Sequence, residues 1–253
     1  MLTNEPFKGK VALVTGGSRG IGKAISLKLA SLGADVIINY YRKTTTAVET
    51  AEQVRTYGVR AHIIKANIGE PEKLGAMFAE IEEKFGQLDI FVSNAASGTP
   101  RPPMDLDQKG WDWTMDINAR AFLLCAQHAV PLMPEGGKIV SISSLGSFLV
   151  TPSYTSVGVS KAALEALTRY LAVDLAPRGI SVNCISGGAV ETDSLKAYAE
   201  EAAMRGFSVS DTPAGRTVKP EDIAEVVAFL CSEAAAMIRG QVIIVDGGLS
   251  LQL

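Results

Sequence analysis

The stretch Val11-Ala12-Leu13-Val14-Thr15-Gly16-Gly17-Ser18-Arg19-Gly20-Ile21-Gly22 decides the fold. An apolar run of strand length is followed by a glycine-rich turn, and the turn opens a helical pattern over Ile21–Leu32. Glycines at such a turn let the chain reverse tightly and let a pyrophosphate approach the backbone. There the unpaired N–H groups and the positive end of the helix dipole meet it. The candidate phosphate contacts are Gly16, Ser18, Arg19, Gly20, Ile21 and Gly22. A glycine-rich turn alone is weak support; the strand before it and the helix after it strengthen the reading.

Outward from this unit, short β-branched runs alternate with longer runs of helical period. This is the pattern of a parallel sheet covered on both faces. Strands are expected at Val11–Thr15, Val36–Tyr40, Ala61–Lys65, Leu88–Ser93, Lys138–Ser143, Ile180–Ile185 and Gln241–Val245. Helices are expected around Ile21–Leu32, Thr45–Tyr57, Glu72–Phe85, Gln108–Leu132, Val157–Ala176 and Glu221–Ser232, with Pro71 and Pro220 near helix starts. No repeat, low-complexity tract or linker divides the chain. The expected fold class is therefore α/β, a single Rossmann-type doubly wound parallel sheet of about seven strands flanked by helices and spanning residues 1–253. Residues 192–217 are the least regular part: Asp193–Gly206 reads as a short helix, closed by the turn chemistry of Thr212-Pro213-Ala214-Gly215. Because ligands bind beyond the carboxyl ends of strands in such sheets, this insertion is expected to act as a substrate lid.

A chain of 253 residues with 47% hydrophobic content can bury a large core without disulfides or a metal. Cys125, Cys184 and Cys231 lie far apart in apolar runs and read as small core residues. The net charge of −3 gives no reason to expect nucleic acid or an anionic membrane as partner. There is no signal-peptide h-region and no apolar run near the length of a membrane span, so a cytoplasmic protein is expected. His62 and His128 stand apart in a strand and a helix and form neither a metal set nor a triad. The carboxylates read as solvated charges on helix faces.

The second strand ends at Asn39-Tyr40-Tyr41-Arg42, and no acid stands between Val36 and Thr46. An acid there would bind the ribose 2′-hydroxyl of NAD. Arg19 and Arg42 are instead available to a 2′-phosphate, which guanidinium suits, and NADPH is the expected cofactor.

The spacing T-G-x-x-x-G-I-G resembles that of the short-chain dehydrogenase/reductase family, and the resemblance extends over nearly the whole chain. It places Asn67-Ile68 where the family usually has Asp-Val beside the adenine, and Asn94-Ala95-Ala96 where it has Asn-Ala-Gly, leaving room for adenine and ribose. In the family a tyrosine serves as acid. A lysine one helical turn later binds the nicotinamide ribose and lowers the tyrosine's pKa. Here Lys161 matches the lysine, but four residues earlier stands Val157, which has no proton to give. The nearest tyrosine is Tyr154, so the spacing is Tyr-x6-Lys.

Enoyl-acyl-carrier-protein reductases of the same superfamily carry Tyr-x6-Lys. Ser143-Ser144-Leu145-Gly146 and Ile185-Ser186-Gly187-Gly188-Ala189-Val190-Glu191-Thr192 are similar to their segments. The runs Asn94–Gly98, Trp111–Met115, Tyr154–Lys161, Thr168–Val173 and Met237–Gln241 resemble the bacillus-type NADPH-dependent enoyl-acyl-carrier-protein reductase III. The resemblance implies reduction of a trans-2-enoyl thioester on acyl carrier protein or coenzyme A. Tyr154 would donate to the thioester oxygen, Lys161 would hold the ribose, and Ser144 would make a second contact to the substrate oxygen. Asn118 would organise water behind Lys161, and Ala189, Val190 and Thr192 would clamp the nicotinamide. It also implies a homotetramer, and docking of an acidic carrier on Arg101, Lys196, Arg205 and Arg216. Two alternatives stay open: a 3-oxoacyl or other carbonyl reductase of the same fold, and a non-catalytic NADPH-binding sensor.

Overall fold

A computed structural model describes residues 5–191 and 212–252 of the chain. The apolar runs form strands β1 Val11–Val14, β2 Asp35–Tyr40, β3 Ala61–Lys65, β4 Ile90–Ser93, β5 Lys138–Ser144, β6 Ser181–Gly187 and β7 Val242–Val245. They make one seven-stranded sheet in the order β3-β2-β1-β4-β5-β6-β7. Every neighbouring pair is parallel. The strand order reverses between β1 and β4, which opens a crevice at their carboxyl ends.

The described helices are α1 Gly20–Ser31, α2 Thr44–Arg55, α3 Pro71–Phe85, α4 Gln108–Met115, α5 Ala121–Ala129, α6 Thr155–Asp174 and α7 Pro220–Cys231. Alternate side chains of each strand serve opposite faces of the sheet. Ala12 and Val14 of β1 pack with Ile25 and Leu29 of α1, Val54 of α2 and Val227 of α7. Val11 and Leu13 pack on the other face with Phe78 of α3, Phe122 of α5 and Leu164 of α6. Burial on both faces accounts for the nearly continuous apolar reading of the strands. Cys125, Cys184 and Cys231 are buried, and desolvation pushes the Cys184 and Cys231 thiols up to about 12.

One expected element is broken. The helix read over Gln108–Leu132 stops at Met115, passes through a π-helical turn at Asp116–Arg120, and resumes as α5. No proline or glycine marks the interruption. Its cause is tertiary, because Asn118 inside the turn is drawn to the loop after β4 and to α6.

The expected lid lies mostly outside the described residues. Its described end, 212–217, packs on the turn after β7: Ala214 N donates to Gly247 O at 3.0 Å, and Gly215 takes a positive φ of 73°.

Candidate active site

At the glycine turn, Thr15 ties two strand ends together. Its hydroxyl donates to Val92 O (3.3 Å) and accepts from Asn94 N (3.0 Å) and Ala95 N (3.1 Å). The Asn94 amide donates to Thr15 O at 2.8 Å and Gly16 O at 3.3 Å, fixing the turn from the β4 side. Asn39, buried at the end of β2, fixes it from the other side. Its carbonyl accepts from Gly16 N at 3.4 Å, and its amide donates to Ala66 O at 3.1 Å. Thr15 and Asn39 carry no assigned role in the sequence reading. An asparagine inside the apolar strand Asp35–Tyr40 was the available signal.

Gly16 and Gly20 have positive φ of 63° and 52°, a conformation that only glycine adopts without penalty. A Cβ on Gly22 would stand 2.5 Å from Asn94 Nδ2. The start of α1 has no side-chain cap and no acid in its first turn, so its N–H groups and positive dipole end are available to an anion. These features fit a dinucleotide pyrophosphate. Ser18 is buried and its carbonyl accepts from Thr50, and Ile21 packs against the core beneath the turn.

Arg19 caps α1 and is exposed, and Arg42 is exposed after β2 with its guanidinium 5.7 Å from the Tyr41 ring centroid. Asn67 accepts from Gly69 N (3.1 Å) and donates to Glu70 (2.7 Å), so its side chain shapes the approach to α3. Ile68 is buried in the core, while Ala95 is half-buried and Ala96 exposed. Ala189 and Val190 are buried after β6, and Val190 pairs with Val218. Thr192, Lys196 and Arg205 lie outside the described residues.

Tyr154, Ser144 and Lys161 come together where β5 meets α6. Tyr154 immediately precedes α6, and its hydroxyl is hydrogen-bonded to Ser144 at the end of β5. Burial raises the Tyr154 pKa, and the Ser144 bond opposes that rise only in part. The phenol therefore stays protonated at neutral pH, as a proton donor must. The residue before it, Ser153, is the one non-glycine with positive φ among the described residues, at 59°. Backbone held in that region carries strain, and such positions cluster at functional sites. Arg101 lies alongside: its N donates to Ser153 O at 2.9 Å, and it forms a parallel bridge with Tyr154.

Lys161 is buried and donates to Ile142 O at 2.7 Å. Burial lowers its pKa to about 8, against the opposing influence of Cys184 and Glu165. Val157 is buried, and its side chain occupies the place a Cβ on Gly98 would take.

Asn118 is buried and its side chain is committed. Its carbonyl accepts from Ser97 N (2.8 Å), and its amide donates to Ser97 O (2.9 Å) and Ser160 Oγ (2.9 Å). Both amide hydrogens are used, so the side chain positions the β4 loop against α6 and donates to no water. Trp113 donates to Ser97 Oγ at 2.9 Å and braces the same loop. Arg216 forms a two-pronged ion pair with Asp222 at 2.5 and 2.7 Å at the start of α7. One further expectation needs correction. Glu165, grouped with the solvated carboxylates, accepts from Ser143 Oγ at 2.5 Å on the inner side of α6.

A glycine turn at a sheet's switch point, with a serine–tyrosine pair and a buried lysine at the same carboxyl edge, defines a nucleotide-dependent oxidoreductase site. Comparison with known proteins agrees. The family model described as enoyl-(acyl carrier protein) reductase matches residues 16–250. A 1-cyclohexenylcarbonyl-CoA reductase of Streptomyces collinus is 39% identical over 244 residues, covering 96% of this chain and 87% of its own. A short-chain dehydrogenase from Burkholderia cenocepacia, solved in complex with NADP, superposes with a TM-score of 0.89 at 35% identity over 97% of this chain and 99% of its own. The angucycline C-6 ketoreductase LanV with bound NADP gives 0.90 at 35% identity over 97% of each chain. The chain belongs to the short-chain dehydrogenase/reductase family. Among the described residues no cluster suits a metal ion, and no helix is long and apolar enough to cross a membrane.

Proposed function

We propose that this protein is an NADPH-dependent reductase of the 2,3 double bond of trans-2-enoyl thioesters, carried on coenzyme A or acyl carrier protein. The observation that carries the reading is the pairing of Tyr154 with Ser144, while the position one helical turn before Lys161 is a buried valine. Among the described residues the phenol paired with the strand-end serine is thus seven positions before Lys161, not four. The Streptomyces relative supports the reading, because its name describes a thioester carbonyl conjugated to a ring double bond.

When bound, NADPH supplies the hydride. Its pyrophosphate would sit on the α1 N-terminus, Arg19 and Arg42 would hold its 2′-phosphate, and Lys161 would hold the ribose on the nicotinamide side. Ala95 and Ala96 leave space for the adenosine end, and Ala189 and Val190 would back the nicotinamide. As the β-carbon of the substrate is reduced, negative charge grows on the thioester oxygen. The Tyr154 hydroxyl donates to that oxygen, and Ser144 holds the phenol in line. The exposed apolar residues Val159, Tyr170 and Val173 of α6 support self-association, in keeping with a homotetramer.

A carbonyl reductase is the second reading, favoured by the LanV neighbour. Following NADPH absorbance with crotonyl and acetoacetyl thioesters in parallel separates the two. Oxidation with crotonyl thioester supports enoyl reduction, and oxidation with acetoacetyl thioester alone moves the assignment to ketones. Binding of NADPH with turnover of neither would favour the sensor.

A further inference from the structure

Behind Lys161, on the face of the sheet covered by α6, lies a row of polar side chains that the proposed chemistry does not use. Ser141 and Ser143 of β5 point toward α6: Ser141 Oγ is 3.0 Å from Thr168 Oγ1, and Ser143 Oγ donates to Glu165 Oε1 at 2.5 Å. Ser186 of β6 pairs in register with Ser143 and is fully buried, and its hydroxyl has no partner among the described residues. Cys184 lies in the same row, hydrogen-bonded to Ser141 and Ser143. Burying this many polar groups costs stability that an apolar row would not, so the row is poorly explained by packing alone.

Glu165 follows Lys161 by four residues on α6, so the two side chains share one helix face. The partner of Glu165, Ser143, is the residue immediately before Ser144. One carboxylate therefore acts on both halves of the site, on the lysine through charge and on the strand end through a hydrogen bond. We propose that Glu165 is a positioning residue, its carboxylate keeping Lys161 charged and, through Ser143, holding the end of β5 that carries Ser144.

The electrostatics agree in sign. Desolvation drives Lys161 toward its neutral form, and the Glu165 carboxylate opposes it from the same helix. The other titratable group acting on Lys161 is Cys184 of β6, whose thiol is pushed up to about 12 and so stays neutral through the working range. Glu165, one turn along the same helix, is the carboxylate that favours the cation. Without it, the lysine loses its proton at a lower pH.

The inference rests on the reductase reading only in its kinetic part, so the deciding measurement is made on the protein without substrate. The pH titration of the Lys161 side chain is followed by carbon-13 NMR of labelled lysine, assigned with Lys161→Arg. Glu165→Gln keeps an acceptor for Ser143 and removes the charge. It is expected to lower the Lys161 midpoint by about one pH unit. Ser143→Ala removes the hydrogen bond and keeps the charge, and is expected to leave that midpoint in place. An unmoved midpoint in Glu165→Gln, or an equal shift in Ser143→Ala, overturns the proposal. In kinetics, with whichever thioester the parent protein reduces, the alkaline limb of the rate profile should move down in Glu165→Gln by the same amount. A rate loss uniform across pH would also overturn it. If the parent protein reduces neither thioester, the reductase reading fails while the NMR titration still decides the role of Glu165.

Discussion

The ring of Tyr154 lies against the bare backbone of Gly146: a Cβ built on Gly146 would stand 2.5 Å from Tyr154 Cδ1 and 2.6 Å from Cε1. Gly146 packs in turn on Gly158 of α6, where a Cβ would stand 2.5 Å from Gly146 O. Two glycines thus bring the turn after β5, the tyrosine ring and the first turn of α6 into direct contact. Gly146→Ala must push the ring away from Ser144. The expected result is a fall in kcat of about 10- to 100-fold with a stability loss of about 1–3 kcal/mol. Steady-state kinetics beside denaturant melts would check it, and a variant with parental kcat would show that the ring's position does not matter.

Tyr154→Phe removes the hydroxyl and keeps the ring. If that hydroxyl stabilises the developing oxyanion, kcat should fall by about 100-fold or more while NADPH affinity is nearly unchanged. Restoring a tyrosine one helical turn before Lys161 should not compensate. Val157 is 5% exposed and pressed against Gly98, so Val157→Tyr overpacks a filled space at a cost of about 1–3 kcal/mol. Recovery of activity in the double variant Tyr154→Phe/Val157→Tyr would assign the chemistry to the ordinary family position instead.

The sheet was legible because its strands are apolar on both faces and bounded by turn residues. Six strands differ from the expected bounds by no more than two residues at either end, and β3 spans Ala61–Lys65 as expected. The meeting of Tyr154 with Ser144 was legible only through motif resemblance, since the residues are ten positions apart and belong to different elements. What sequence could not carry was the set of contacts between distant segments. The π-helical turn at Asp116–Arg120 has no local breaker and exists because Asn118 reaches Ser97 and Ser160. Glu165 is an ordinary charge on a helical pattern until the position of Ser143 opposite it is known. Asn39 and Thr15 likewise show their purpose only when three strand ends are side by side.

Discrimination between the two nicotinamide cofactors should reside in Arg19 and Arg42. Both are exposed near the ends of adjacent strands, and no acid competes for the ribose there. Loss of one charge-assisted contact to a 2′-phosphate costs about tenfold in binding. Arg42→Ala should therefore raise the NADPH Kd by about tenfold and leave the NADH Kd almost unchanged. Fluorescence titration with both cofactors checks this. Equal weakening of the two would mean that Arg42 supports the loop rather than the phosphate.

Lys161 should carry a measurable stability cost whose pH dependence has a defined sign. Its folded-state pKa of about 8 lies below the ordinary 10.5, because burial disfavours the cation. Below the lower value the lysine is charged in both states, and the folded chain bears the full penalty. Between the two values the unfolded chain binds the proton and the folded chain does not, so this group's contribution to stability rises with pH. Above the higher value it is neutral in both states and the penalty is gone. Lys161→Met should accordingly be more stable than the parent at neutral pH, by on the order of 3 kcal/mol at most. The lost bond to Ile142 O takes back part of that gain. The difference between variant and parent should shrink as pH rises through this window, in urea melts run at pH values on either side of it. NADPH oxidation should be nearly abolished throughout. A variant less stable than the parent at neutral pH, with no change across the window, would mean that the buried ammonium contributes more through Ile142 than burial costs it.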